Sequence, residues 1–256
     1  MAQYSFARNM LTANDSGPRA LSSIVGNVIH TTENSGRTTA MDIAAWLQRR
    51  EAQASYTGLV DKFRNTVRSN DDNYIPWSVG STKGNGRFLH YAVVGEAKYS
   101  RETWLGEYRP ALEELAKILA HNNREYGIPL RLLTQDQLRR LEKGTSTHND
   151  CSKVFGGSDH WDPGPGFPLD WVIDQAKNIV NGTPNKGATV SQNPQMDRVH
   201  HELTHEFQSR VEGSQYRDTL VGYMLNTDAA AYRLEIEVAE MRDQLDRIEK
   251  MIGDRK

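Results

Sequence analysis

The chain of 256 residues has a single cysteine, Cys151, so no disulfide can close within it. Sparse cysteine of this kind points to manufacture in a reducing compartment. No apolar run approaches the ~20 residues that a membrane-spanning helix requires. A basic surplus is also lacking: 31 Lys and Arg stand against 33 Asp and Glu, a formal net charge of -2. Nucleic acid as the main partner would need the opposite balance. The first ten residues, Met1 to Met10, lack the apolar segment of a secretion signal, and the expectation is synthesis in the cytoplasm without one. No repeat of solenoid type is found. What is present is an ordinary globular composition, 37% hydrophobic and 25% charged. At about 150 residues per domain, this length suits one core-forming domain with an appendage, or two small domains.

Residues 21 to 180 read as an α/β unit. Ile24 to His30 is a short apolar run with the character of a buried strand. Thr38 to Gln53 follows as a helix, Ser55–Asp61 and Phe63–Arg68 as two short strands, and Phe88–Val94 as a strand rich in β-formers. Ser100 to Tyr126 reads as one long helix, capped by Ser100 and stopped by Gly127. Thr134 to Lys143 is a shorter helix, Asp150 to Pro168 is loop by its Gly, Pro, Asp and Ser content, and Leu169–Val180 is a helix. Residues 181–194 hold little to bury and read as a linker. Beyond it, Gln195–Val211 has the pattern of an amphipathic helix. From Leu220 to Ile252 apolar residues recur at alternating spacings of four and three, among them Leu234, Val238, Met241 and Leu245. That is the seam of a coiled coil, with Glu237 and Arg242 flanking it. The fold expected is therefore a mixed central β-sheet flanked by helices over 1–180, a linker over 181–194, and a helical, heptad-bearing region over 195–256.

Two places could carry chemistry in the α/β unit. His30 ends a buried strand, where ligands bind in sheets of this class, although a lone histidine there also suits a structural role. The second is the stretch Thr147-His148-Asn149-Asp150-Cys151-Ser152 with Ser158-Asp159-His160-Trp161-Asp162-Pro163-Gly164-Pro165. Two histidines and a carboxylate with one open position make a catalytic zinc site. The same residues also make a polar surface loop with Asx-turns, and composition does not choose between the two. Glycoside hydrolysis needs two carboxylates across a cleft, and no pattern selects such a pair.

The run His30-Thr31-Thr32-Glu33-Asn34, the tract Ser55-Tyr56-Thr57-Gly58-Leu59-Val60-Asp61, and His148-Asn149-Asp150 leading to Asp162-Pro163-Gly164-Pro165-Gly166-Phe167-Pro168 resemble the zinc N-acetylmuramoyl-L-alanine amidases. That family shares its fold with peptidoglycan recognition proteins. The likeness spans residues 21 to 180 and is greatest to amidase domains of endolysins from phages of actinobacteria. It implies hydrolysis of the amide between N-acetylmuramic acid and L-alanine in bacterial peptidoglycan. It implies zinc on His30, His148 and Asp162. It also implies that Tyr56 holds the attacking water and that His160 stands where the family often has a lysine stabilising the transition state. Some members use a glutamate on a central strand; here Ala92 falls at that position. The family's cysteine ligand falls at Asp162, so Cys151 reads as a small buried residue. A chain of this kind would reach the wall from the cytoplasm of a phage-infected host, or as part of a virion.

Other readings stand beside this one. Recognition proteins of the same fold bind peptidoglycan without cutting it, and the heptads alone would suit a structural virion component. His201-Glu202-Leu203-Thr204-His205 matches the H-E-x-x-H motif of zinc proteases. On the expected helix, however, both histidines lie opposite the apolar face of Met196, Val199, Leu203 and Phe207, and little chain remains to wall a cleft. The heptad seam must bury its apolar stripe, and a homo-oligomer through the C-terminal helix is one way to do so.

Overall fold

The computed structural model describes residues 2–34, 36–182, 206–208 and 217–219, together with Leu234, Val238, Met241 and Arg242. The chain divides into two compact units, Met1–Lys186 and Gly187–Lys256.

The first unit is built on a six-stranded sheet. Its strands are β1 (Arg8–Asn9), β3 (Gly26–Thr31), β4 (Gly58–Val60), β5 (Thr66–Arg68), β7 (Phe88–Val93) and β8 (Gly144–Thr147), in the order β1-β5-β4-β7-β3-β8. β4 and β5 are antiparallel and the other neighbours are parallel, so the sheet is mixed as expected. A separate two-stranded ribbon pairs β2 (Asp15–Pro18) with β6 (Tyr74–Pro76). Helices α1 (Ala40–Leu47), α2 (Thr82–Arg87), α3 (Arg101–Leu105), α4 (Arg109–Tyr126), α5 (Gln135–Arg139), α6 (His148–Phe155) and α7 (Leu169–Val180) complete the unit. Among the described residues, no helix is long and apolar enough to cross a membrane.

The central strands β3 and β7 are buried on both faces, as parallel strands between helical layers must be. Side chains alternate across a strand, so each face draws on every second residue. Ile29, Leu89, Tyr91 and Val93 join Leu112, Leu115, Ile118 and Leu119 of α4 and Val172 and Ile173 of α7 in the largest core cluster. On the other face Ala92 and Val94 pack with Ala40, Ala44 and Leu47 of α1. Val28 and Phe88 pack with Leu138 of α5 and Cys151 of α6.

Several sequence expectations need correction in their bounds. The helix expected over Thr38–Gln53 is α1, which closes at Leu47 and is followed by a single 3-10 turn at Arg50–Ala52. Thr39 and Asp42 form a capping box at its start. The second short strand is only Thr66–Arg68. The Asp61 carboxylate accepts the backbone N–H groups of Phe63 and Asn65, and this organises a turn where strand was expected. The long helix over Ser100–Tyr126 is two helices. Ser100 caps α3, the chain breaks around Gly106, and α4 restarts with Pro110 in its first turn, where a missing N–H costs nothing. Gly127, with φ 61°, ends α4 in the left-handed conformation that glycine adopts freely.

Two further corrections concern polar stretches. Part of the loop expected over Asp150–Pro168 is helix, because α6 runs from His148 to Phe155. In the second unit, Glu206–Gln208 (β9) pairs antiparallel with Arg217–Thr219 (β10). A helix across all of Gln195–Val211 is therefore excluded, since Glu206–Gln208 within it is strand. Leu234, Val238, Met241 and Arg242 are helical and exposed. The remaining heptad positions, and His201 and His205, lie outside the described residues.

Candidate functional site

The site grows from the register of three neighbouring strands. β3 pairs in parallel with β8, and Ile29 lies opposite Thr147. The next residue of each strand is a histidine, His30 on β3 and His148 at the start of α6, so the sheet itself brings the two together. Thr147 caps α6 by accepting the Asp150 N–H, and its hydroxyl donates back to the Asp150 carboxylate. That cap turns the chain sharply at His148. Asp162 arrives from the loop after α6 and is fixed at both ends. Its backbone carbonyl accepts from Asn149 N–H at 3.0 Å, and its Oδ2 accepts from Thr31 N–H at 3.2 Å. The Pro-Gly-Pro block that follows holds this loop close: a Cβ at Gly164 would lie 1.9 Å from the Ala97 carbonyl oxygen, so only glycine fits there.

The three side chains meet in a small triangle. His30 Nδ1 lies 3.2 Å from His148 Nδ1 and 3.4 Å from Asp162 Oδ2. His148 Nδ1 lies 3.0 Å from Asp162 Oδ1. All three residues are buried. Ligands about 2.0–2.1 Å from a tetrahedral zinc stand about 3.4 Å from one another. These spacings are close to that edge length, and the chemistry, two imidazole nitrogens and a carboxylate, suits zinc. Among the described residues this is the group of His, Cys, Asp and Glu side chains able to hold a metal ion. Cys151 is not part of it; it is wholly buried in the cluster between α5 and α6, and burial pushes its thiol pKa up.

The electrostatics follow from burial. Burial lowers the His30 pKa to about 4, against the opposing pull of the Asp162 carboxylate beside it. Burial alone would raise the Asp162 carboxyl, but the adjacent His148 and His30 override it and hold the group well below the usual carboxylate range. The cluster is thus a carboxylate with a neutral His30 beside it.

The two assisting residues expected from the sequence lie at the rim. The Tyr56 ring packs edge-on to His30, with centroids 5.1 Å apart. Burial, then the charges of Asp162 and Glu33, raise its phenol, which stays protonated. His160 stacks on His148 with centroids 4.7 Å apart and is 62% exposed, its Nδ1 3.7 Å from Asp162 Oδ1. Opposite His30 in register stands Ala92, so no carboxylate enters from β7.

Two features of the site escape a reading of the sequence. His148 Nε2 meets Ser158 Oγ at 2.9 Å, and Ser158 meets Ser152 Oγ at 2.7 Å. His90, on β7, sets its Nδ1 3.0 Å from His30 Nε2. Both histidines sit on one face, since Val28 pairs with His90 and His30 follows two residues on. A histidine breaking an otherwise apolar strand, Phe88–Val93, was the available signal.

Known proteins resemble this chain in fold and in sequence. The crystal structure of the Staphylococcus aureus hydrolase AmiA with its ligand is similar in fold. Its TM-score is 0.55 at 20% identity, over 72% of this chain and 89% of that one. The bifunctional autolysin of Staphylococcus aureus is 27% identical over 158 residues. That stretch is 61% of this chain but 12% of the autolysin, so the chain spans only a small part of that relative. A family model described as N-acetylmuramoyl-L-alanine amidase matches residues 21–165, more than half of the sequence and the whole stretch from before His30 to past Asp162. The chain belongs to the N-acetylmuramoyl-L-alanine amidase family.

Proposed function

We propose that this protein hydrolyses the amide between N-acetylmuramic acid and L-alanine in bacterial peptidoglycan, with a zinc ion held by His30 Nδ1, His148 Nδ1 and Asp162. The observation that carries the proposal is the buried cluster of these three groups, two of them brought together by the pairing of β3 with β8. When bound, zinc supplies a Lewis acid for the amide carbonyl and lowers the pKa of water toward neutrality.

The chain's own residues do the rest. Asp162 offers its negative charge to the ion, and its bond from Thr31 N–H orients it. Tyr56, protonated and packed on His30, can hold and orient the attacking water through its hydroxyl. His160, stacked on His148 and exposed, can donate a hydrogen bond to the oxygen that gains negative charge. A donor of this kind is worth about 3 kcal/mol in the transition state. Its exposure leaves it in reach of both solvent and a long polymeric substrate.

The biological setting proposed is lysis of a bacterial host by a phage endolysin, with a virion-associated lysin as the variant. The sequence resemblance to endolysin amidase domains supports it. Copies of the chain would associate through the C-terminal heptads, a reading supported by Leu234, Val238 and Met241 being helical and exposed. One observation favours a second reading, binding without cleavage: Ala92 supplies no acid opposite His30.

Purified cell walls digested with the zinc-loaded full chain, analysed by mass spectrometry, decide among these. Hydrolysis as proposed releases stem peptides with a free L-alanine amine and leaves unbranched glycan. Intact walls with bound protein would establish the binding-only reading. New reducing ends, or cleavage inside the stem peptide, would overturn the amidase assignment.

A further inference from the structure

His30 can offer Nδ1 to a metal only if its proton sits on Nε2, and a buried N–H needs an acceptor. The acceptor in place is His90 Nδ1, at 3.0 Å, whereas the carboxylate oxygen nearest His30 Nδ1, Asp162 Oδ2, stands farther off at 3.4 Å. For His90 Nδ1 to accept, the proton of His90 must sit on its own Nε2. That nitrogen faces the Gly84 carbonyl oxygen at 3.3 Å, a group that can only accept. The backbone of His90 is pinned as well: its N–H donates to Thr57 Oγ1 at 3.0 Å, and its carbonyl accepts from Thr57 N–H at 2.8 Å. Both rings are fully buried, so water cannot substitute for either partner. Read from the carbonyl outward, each bond dictates the next.

We propose that His90 is a positioning residue that, anchored on the Gly84 carbonyl, holds His30 in the Nε2–H tautomer and so presents the Nδ1 lone pair to the metal before the ion arrives. The second ligand histidine has a different arrangement. His148 Nε2 meets a serine hydroxyl, which can donate or accept, so its tautomer is free to adjust. The chain from Gly84 fixes one ligand and leaves the other adaptable. Partners in this outer position typically govern metal affinity by about 10–100-fold.

This proposal rests on the metal reading above, and the test separates the two. In the metal-free full chain, long-range proton–nitrogen NMR reads the His30 tautomer directly, without zinc. A proton on Nε2 is expected; a proton on Nδ1 would overturn the proposal. Zinc affinity is then measured by chelator competition for the wild type, His90→Leu and His90→Asn. The Asn side chain can place its Oδ1 where His90 Nδ1 now lies and restore the acceptor; Leu cannot. His90→Leu should bind zinc about 10–100-fold more weakly, with His90→Asn within about threefold of wild type. Unchanged affinity in His90→Leu, or an equal loss in both variants, would overturn it. Circular dichroism checks the fold of each variant. If His90→Leu does not fold, His90→Asn and the NMR measurement decide. A wild-type chain that binds no zinc would sink the metal reading, while the tautomer would still judge His90.

Discussion

The two faces of the central sheet are built from alternate residues of the same strands, yet they do different work. On the α4 and α7 side, Ile29, Leu89, Tyr91 and Val93 meet leucines and isoleucines, and stability comes from apolar area removed from water. On the other side Val28, His30, His90 and Ala92 fall between two smaller apolar clusters, one under α1 and one under α5 and α6. That face buries imidazoles, and a buried polar group costs stability unless it is hydrogen-bonded. Each ring there has partners, and the apolar residues beside them, Ala92 and Cys151, are small. One face is therefore replaceable by any chain that packs well. The other is restricted to residue types that complete a chain of bonds.

The largest expected effect breaks the histidine face. His30→Ala or Asp162→Ala should remove tightly bound zinc and reduce wall hydrolysis by at least about 10³-fold, because a three-ligand site loses an anchor. Stoichiometric zinc and full activity in either variant would refute the ligand assignment. Breaking the apolar face should have the opposite signature. Leu115→Ala, within the α4 cluster, should lower stability by about 2–5 kcal/mol in denaturant melts. The protein that remains folded should keep its zinc affinity. A loss of zinc affinity at constant fold would show the two faces to be coupled.

How much of this contrast could be read in the sequence differs by residue. The apolar strand ending in His30, the Asp162-Pro163-Gly164 block and helix Leu169–Val180 were legible, because burial, backbone constraint and periodicity each leave a local mark. The strand before His148 was not, since Gly144-Thr145-Ser146-Thr147 has no apolar pattern and is strand only because β3 pairs with it. The helix starting at His148 was missed although Thr147 and Asp150 carry the spacing of an N-cap, which glycines and prolines further along obscured. His90 marks itself only as a histidine inside an apolar strand; that it faces His30 follows from the pairing of β3 with β7, which nothing local states. In the second unit, apolar periodicity over Gln195–Val211 suggested helix where pairing with β10 makes Glu206–Gln208 strand.

The histidine face should also give the metal-free protein its pH dependence. His30 has its pKa lowered to about 4 by burial, whereas an unfolded imidazole titrates at ~6.5. Between those values the unfolded chain binds a proton that the folded chain refuses, so stability falls as the pH falls through that window. The slope is at most about 1.4 kcal/mol per pH unit for this group. His90, lowered by burial in the same direction, steepens the loss. Asp162, held low, contributes its own loss only below about pH 4. Melts of the chelated protein at pH 7 and pH 5 measure this, and His30→Ala should flatten the profile. An equal profile in that variant would assign the pH dependence elsewhere.

A smaller effect separates holding the ion from using it. Tyr56→Phe removes one hydroxyl and keeps the ring that packs on His30. Zinc affinity and stability should stay close to wild type, while turnover on wall substrate falls about tenfold or more, ~1.4 kcal/mol in the transition state. Unchanged turnover would take Tyr56 out of the mechanism; lost zinc would make it part of the metal's support instead.

The smallest effect expected lies outside the sheet altogether, and it tests whether the histidine face is where the chemistry resides. His201 and His205 carry the spacing of a zinc protease, but the residue following them opens strand β9. Protease motifs of this type place both histidines on a helix against a domain wall. Replacing both by Ala should leave zinc stoichiometry and wall hydrolysis within about twofold of wild type, a change of less than about 0.5 kcal/mol. His148→Ala, measured in parallel, should abolish both. The protease reading requires the reverse, with zinc and all hydrolysis lost on changing His201 and His205 and kept on changing His148. Because each reading assigns the metal to a different pair of histidines in the same chain, zinc content in these two variants separates them even before any substrate is added.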